Sequence, residues 1–226
     1  MMRSIIGCFI AASLPIVAYG EEPQLAVKAE AVAVPNEIAE GVRTALSKQA
    51  YTVSVKDGEA RLTLWLRASV PAKANDVQIK NGLTYREIPE GTLMGAIKLP
   101  AAFVDFRKQE IPAGIYTLRL AAQPETGDHK DTAPHQDFLL MTRAEDDATE
   151  EIVEAKTLYK RSAKINDGDH PAVMLLFPSK AKVGEATIAK KADGVSVFET
   201  RVTLDADGTP TSIGIALAVA GHSKTR

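Results

Sequence analysis

The sequence adopts a period of two from Tyr51 onward. Tyr51, Val53 and Val55 alternate with polar neighbours and Asp57-Gly58 interrupts the run. Then Leu62, Leu64 and Leu66 fall on one parity, with Arg61, Thr63, Trp65 and Arg67 on the other. Successive side chains of an extended strand point to opposite faces, so this alternation commits the segment to a sheet. Asp-Gly supplies the positive φ of a tight turn, which makes 51–67 a hairpin.

The same grammar recurs down the chain. Strands are expected at Thr92–Leu99, Phe103–Phe106, Ile115–Ala122, Phe138–Met141, Ala172–Phe177, Thr187–Lys190 and Val195–Leu204, with a last strand alternating from Ile213 to Val219. Leu25, Val27, Ala29 and Ala31 alternate loosely and read as an edge strand or an extended lead-in. Pro112-Ala113-Gly114, Asp193-Gly194 and Asp207-Gly208 are turn signals. Phe138–Met141 and Ala172–Phe177 are apolar on both parities, as expected of strands inside a sheet. The region 71–90 reads as loop, with turn signals at Asn75-Asp76 and Asn81-Gly82 and one short strand around 77–79.

Two stretches change to helical spacing. Ile38, Val42, Ala45, Leu46 and Gln49 share a face behind Pro35-Asn36, predicting a helix over 37–49. Asp147 and Glu150 have capping-box spacing, acids crowd 150–154, and bases crowd 156–164. That order suits the helix dipole and predicts a second helix at 148–164, buried along Ile152, Ala155, Tyr159 and Ala163. Turns separate the strands more often than helices do. The fold class is therefore mainly β, an antiparallel β-sandwich of about nine or ten strands with two helices. No repeat, linker or compositional break divides residues 21–226, which read as one domain.

Residues 1–20 have the order of a signal peptide. Arg3 is the basic flank, Ile5–Val17 is mostly apolar, and Ala18-Tyr19-Gly20 presents small residues before Glu21. Ser13 and Pro15 interrupt a stretch already short for a membrane span, so no transmembrane segment is expected in the mature chain. The alternatives are an uncleaved amphipathic anchor and lipidation of Cys8. The expected location is exported, periplasmic or secreted. Cys8 is the chain's only cysteine, so the mature domain must be stable from its core without disulfides. Loss of Arg3 with the leader takes the formal charge from −2 to −3, and no basic block is present. That argues against nucleic acid as a partner, since phosphate binding needs clustered Lys and Arg.

The loop Glu125–Asp137 holds two of the four histidines, His129 and His135, with Glu125, Asp128, Asp131 and Asp137. His170 stands at another strand mouth. Imidazole nitrogen and carboxylate oxygen suit a divalent metal such as zinc, so His129, His135, Asp137 and His170 form a candidate metal set if the two loops meet. The competing reading is a polar surface loop whose Asp and His residues cap turns. Asp205-Ala206-Asp207-Gly208 lacks the later oxygen ligands of a calcium loop and reads as a turn. The sequence contains no Gly-x-Ser-x-Gly, no Gly-rich phosphate loop and no His-Glu-x-x-His.

A second candidate set is Trp65 and Arg67 on the polar face of their strand, with Arg119 on the polar face of 115–122. An indole beside guanidiniums on an open sheet could stack on a sugar or peptide, or could be covered by a second layer.

Gly91-Thr-Leu-Met-Gly95, Phe103-Val-Asp-Phe-Arg107, Ile111-Pro-Ala-Gly-Ile-Tyr-Thr-Leu-Arg119, Gln123-Pro-Glu-Thr-Gly-Asp-His129, Ala133-Pro-His-Gln-Asp-Phe-Leu-Leu140 and His170-Pro-Ala-Val173 together span about 85 residues. This block resembles an uncharacterised family of exported bacterial proteins. The resemblance implies export and singles out His129, Asp137 and His170, and it implies no activity. The expected function is a non-enzymatic structural or binding domain of the periplasm or envelope. It would need no cofactor, and its partner would be an envelope protein or a small ligand. The alternative is a metal-binding protein or metal-dependent enzyme built on the 125–137 loop and His170.

Overall fold

Leu62, Leu64 and Leu66 do share one face, and that face is a core. The computed structural model describes residues 24–55, 58–123, 135–166, 170–191 and 194–222. In chain order the elements begin with β1 (Leu25–Ala31), the single turn α1 (Glu40–Arg43), β2 (Leu46–Val55), β3 (Ala60–Arg67), β4 (Val70–Ala72) and α2 (Asp76–Asn81). Then follow β5 (Leu93–Leu99), β6 (Phe103–Val104), β7 (Glu110–Ile111), β8 (Gly114–Ala122), β9 (Asp137–Arg143) and α3 (Ala155–Ala163). The chain closes with β10 (Val173–Leu175), β11 (Thr187–Lys190), β12 (Ser196–Ala206) and β13 (Thr209–Ala220).

The fold is a mainly-β sandwich. A seven-stranded antiparallel sheet runs β1-β2-β3-β5-β8-β9-β10, and a smaller sheet runs β11-β12-β13. β4 joins the smaller sheet by pairing in parallel with β12. Between the layers lie Leu62, Leu64, Leu66, Tyr116, Leu118 and Leu120 from the large sheet, against Phe198, Leu204, Ile213, Ile215 and Leu217 from the small one.

The outer face of the large sheet is covered as well, by three successive pieces. At one end residues 32–46 lie over Ala50, Trp65, Leu93 and Ala96. At the other end α3 sets Leu158 against Ala121, Phe138, Leu140 and Val173. Between them lies a polar bolt. Arg119 and Asp147 are both fully buried. Arg119 Nε and Nη2 donate to Asp147 Oδ2 and Oδ1 at 2.7 and 2.9 Å. Nη1 donates to the carbonyls of Gly91 and Glu151, each at 2.8 Å, and Nη2 donates to Thr149 O at 2.5 Å. A guanidinium has five N–H donors, and all five are used. Thr117 Oγ1 donates to the same carboxylate at 2.6 Å.

Three expectations are corrected. The helix predicted over 37–49 shrinks to Glu40–Arg43, and Leu46 already begins β2. Ile38, Val42 and Leu46 do face the core, but they reach it as a covering strap. The predicted 148–164 helix starts at Ala155, because Asp147 is taken by Arg119 instead of capping a helix. Its buried stripe is Leu158 and Ser162, and Ile152 is exposed. The short strand around 77–79 is instead α2, started by a reciprocal Asn75–Gln78 capping box.

Arg119→Ala leaves Asp147 buried with the Thr117 hydroxyl and, as counter-charge, only the more distant Arg161, 3.8 Å away and partly exposed. It is expected to cost about 3–5 kcal/mol in urea denaturation, the scale for removing one partner of a buried pair. Gly91 has φ +85, and a Cβ there would lie 2.0 Å from Val153 O. Gly91→Ala should therefore destabilise by about 2 kcal/mol or more, read as a fall in denaturation midpoint.

Candidate functional site

A cleft opens where β10 leaves one sheet for the other. β10 pairs with β9 as far as Leu175↔Phe138, and Leu176 N–H still donates to Asp137 O at 3.2 Å. Leu176 also bridges to Leu217 of β13, and Phe177 N–H donates to Ala216 O at 2.8 Å. Two residues thus stitch the large sheet to the small one. The chain then crosses the outer face of the small sheet. On that face Arg201 reaches the carbonyl of Ala181.

Tyr85 marks the end of the stitch. Its hydroxyl accepts from Ala216 N–H at 3.4 Å and has the carbonyl oxygens of Gly214 and Phe177 at 3.3 and 3.4 Å to donate to. The segment that delivers it is set by local chemistry. α2 ends at Gly82, whose φ is +93. Thr84 and Glu87 then form a second capping box that starts the short turn Tyr85–Glu87.

Tyr85, Arg86, His135, Asp137, Phe177 and Arg201 are among the residues lining the resulting cleft, which has a volume of about 790 Å³. A smaller hollow of about 350 Å³ shares Tyr85, Arg86, Gln136 and Asp137 and runs on toward Glu90 and Gln123. The two hollows adjoin at these four residues. The His135 ring meets Phe177 edge-on, with centroids 4.7 Å apart. Burial pushes the His135 pKa below the ordinary 6.5, against the pull of Asp137. Burial pushes the Asp137 carboxyl above its ordinary value, opposed by Arg86 and His135. Tyr85 is pushed up by burial and stays protonated. Arg201 donates through Nε and Nη2 to Ser212 Oγ at 3.0 and 2.9 Å and through Nη2 to Ser212 O at 2.6 Å. The cleft therefore offers aromatic walls, two guanidiniums, one carboxylate and a neutral imidazole.

The candidates from the sequence are distributed differently from what was expected. His135 and Asp137 line the cleft. His129 lies outside the described residues. His170 is exposed and stands at the far end of the β9–β10 ladder. Met141 N–H donates to Ala172 O there, whereas His135 precedes the Asp137 end. At about 3.3 Å per residue the two histidines are roughly 20 Å apart along the strands. Ligand atoms on one zinc lie within about 4 Å of each other, so His135 and His170 do not share a metal. Among the described residues no group of three or more His, Cys, Asp and Glu could hold a metal ion.

The open aromatic face is also corrected. Trp65 is 1 % exposed, under residues 32–46, and its Nε1 donates to Val32 O at 3.0 Å. Arg119 is the buried bolt described above. Arg67 is largely covered and donates to Glu150 O at 3.1 Å. These three hold the outer layer down and do not line the cleft. Sequence reading missed Tyr85, Arg86 and Arg201. The Thr84-x-x-Glu87 spacing announces the turn that carries the first two. For Arg201, on a strand with alternating polar residues, no such signal exists.

Comparison of the chain with protein-family models, with curated proteins and with solved structures returns no match.

Trp65 is the chain's only tryptophan, so its fluorescence reports the covered face alone. Its emission should be blue-shifted and resist iodide quenching; quenching as strong as for free indole would mean the strap is open. The fold favours neutral His135. Its contribution to stability is therefore present above the ordinary histidine pKa of 6.5 and is lost as pH falls through it, because the unfolded chain takes the proton first. Asp137 acts in the opposite sense: burial raises it above 3.8, so the folded chain takes that proton first and gains stability as pH falls toward 3.8. Urea stability should fall from pH 7.5 to 5.5 in the native chain, and His135→Gln should flatten that slope.

Proposed function

We propose that this chain is an exported, non-enzymatic domain that binds a small ligand in the cleft between Tyr85, Asp137 and Arg201. The observation that carries the reading is the cleft itself. Its volume of about 790 Å³ falls within the roughly 300–1,000 Å³ of small-molecule sites. Its lining also has the expected character, with apolar and aromatic walls at Leu176 and Phe177 and a few convergent polar groups.

Binding, and not catalysis, is the favoured reading because the cleft's hydroxyls are engaged in holding structure. Ser212 Oγ accepts from Arg201, and Ser179 Oγ accepts from Ala181 N–H at 3.1 Å. His135 packs on Phe177, and burial lowers its affinity for a proton. Export is supported by the leader-like order of Arg3, Ile5–Val17 and Ala18-Tyr19-Gly20, and by the resemblance to exported bacterial proteins.

A thermal-shift screen of diverse small molecules tests the binding reading. Gln136 is exposed and lines both hollows, so Gln136→Trp fills the groove without touching the core. Compounds that bind the cleft should raise the native melting temperature by several degrees and leave that of Gln136→Trp unmoved. A screen in which every hit stabilises both chains equally would defeat the reading. Mass measurement on the envelope fraction tests export, with a chain starting at Glu21 expected.

A further inference from the structure

We propose that the ligand of this cleft carries an anionic group, a carboxylate or a phosphate, seated on Arg201 with Arg86 closing over it. This rests on the cleft being a ligand site and adds the chemical class of the ligand. Arg201 lies on the outer face of β12, cross-strand from Gly214 of β13. The missing Cβ matters there, since a side chain at Gly214 would begin 2.7 Å from Ser179 Oγ. Ser179 can therefore sit against the strand pair beside the guanidinium.

Every partner of Arg201 is neutral. Ser212 Oγ and O take Nε and both Nη2 hydrogens, and Ala181 O takes one Nη1 hydrogen at 3.4 Å. A guanidinium has five donors, so one Nη1 N–H and the whole positive charge are left over. Three other arginines that are at least partly covered each have a carboxylate partner. Arg67 has Glu150, Arg107 has Asp105, and Arg119 has Asp147. Among the described residues no carboxylate pairs with Arg201. Glu199, two residues away on the same face of β12, is held by Lys191 at 2.5 Å.

The other groups lining the cleft add to this. Arg86 is exposed, lines the same cleft, and its guanidinium makes no hydrogen bond to the described residues. Ser179 Oγ accepts from Ala181 N–H and so keeps its own proton to donate. Asp137 is the cleft's one carboxylate among the described residues, and it faces Arg86 and His135. Among the described residues lining the cleft, two guanidiniums stand against one acid. A guanidinium fixed from behind by neutral carbonyls, with a hydroxyl donor at its side, is a preorganised seat for a planar carboxylate or a phosphate oxygen. Partial burial strengthens that attraction relative to open water.

Titration calorimetry on the full chain at low ionic strength decides the matter, with inorganic phosphate, glutarate and the neutral isostere glutaramide as probes. At least one anionic probe should bind, and glutaramide should bind at least about tenfold more weakly, as expected for losing a charge-assisted contact. Arg201→Gln can keep a bond to Ser212 while losing the charge, and should weaken the anion at least about tenfold. Arg86→Gln should weaken it by about threefold, being the more exposed cation. If Arg201→Gln does not fold, Ser179→Ala and Arg86→Gln carry the test, and unchanged anion affinity in both overturns the proposal.

Preference for phosphate over glutarate, or the reverse, names the anion. Equal binding of glutaramide, full anion affinity in a folded Arg201→Gln, or no binding of either anion overturns the proposal. If neutral compounds still stabilise the native chain and not Gln136→Trp, the ligand-binding reading survives that outcome. If no compound does so, both fall.

Discussion

The outer layer of this fold depends on one ion pair. Arg119 stands in the middle of the large sheet, on the face pointing away from the sandwich core, where a lone charge would be prohibitive. Asp147 neutralises it, and three backbone carbonyls from Gly91, Thr149 and Glu151 complete its donors. Those carbonyls belong to segments with little regular structure. The guanidinium therefore serves them as a strand would, giving irregular backbone somewhere to place its acceptors. Replacement of such a pair by apolar residues is often neutral or stabilising, so its value here is that it fixes where the 144–154 segment lies.

With that segment fixed, the large sheet is covered on both faces, by the small sheet inside and by strap, bolt and helix outside. β5 and β9 are accordingly buried at nearly every position. The small sheet is covered less completely, and its outer face carries Arg201, Ser212 and the crossing chain from Phe177 onward. The groove forms at the join of these two regimes. β10 must change sheets there, and the backbone groups released at the change are taken by the Tyr85 hydroxyl.

Much of the sandwich could be read directly from residue order. The strands at 60–67, 93–99, 114–122, 187–190 and 196–206 follow from alternation and turn residues, because a sheet's period is a local property of its covalent geometry. The errors have one physical origin. Ile38, Val42 and Leu46 carry helical spacing, yet the stretch folds as turns around a single helical turn, a strap held over Trp65 by tertiary contacts. Asp147 has the spacing of a helix cap, but Arg119, 28 residues earlier, is the stronger partner. Local propensities are small beside burying an indole or satisfying a guanidinium. At the groove, His135 and Asp137 were legible as a polar pair beside a strand. Tyr85, Arg86 and Arg201 were not, since the first two and the third come from parts of the chain more than a hundred residues away from each other.

Residue order alone makes the chain mainly β, leaves a single cysteine and so no disulfide within the chain, and marks which runs are core. Tertiary structure alone decided what each polar residue on those strands is for. Arg119, Arg67 and Arg201 are one residue type on alternating strands, indistinguishable by pattern. The first is buried against a carboxylate, the second is paired and largely covered, and the third has neutral partners in an open cleft. That difference arises because a side chain's solvation and counter-charge are set by what packs against it from elsewhere in the chain, and residue order does not carry that information.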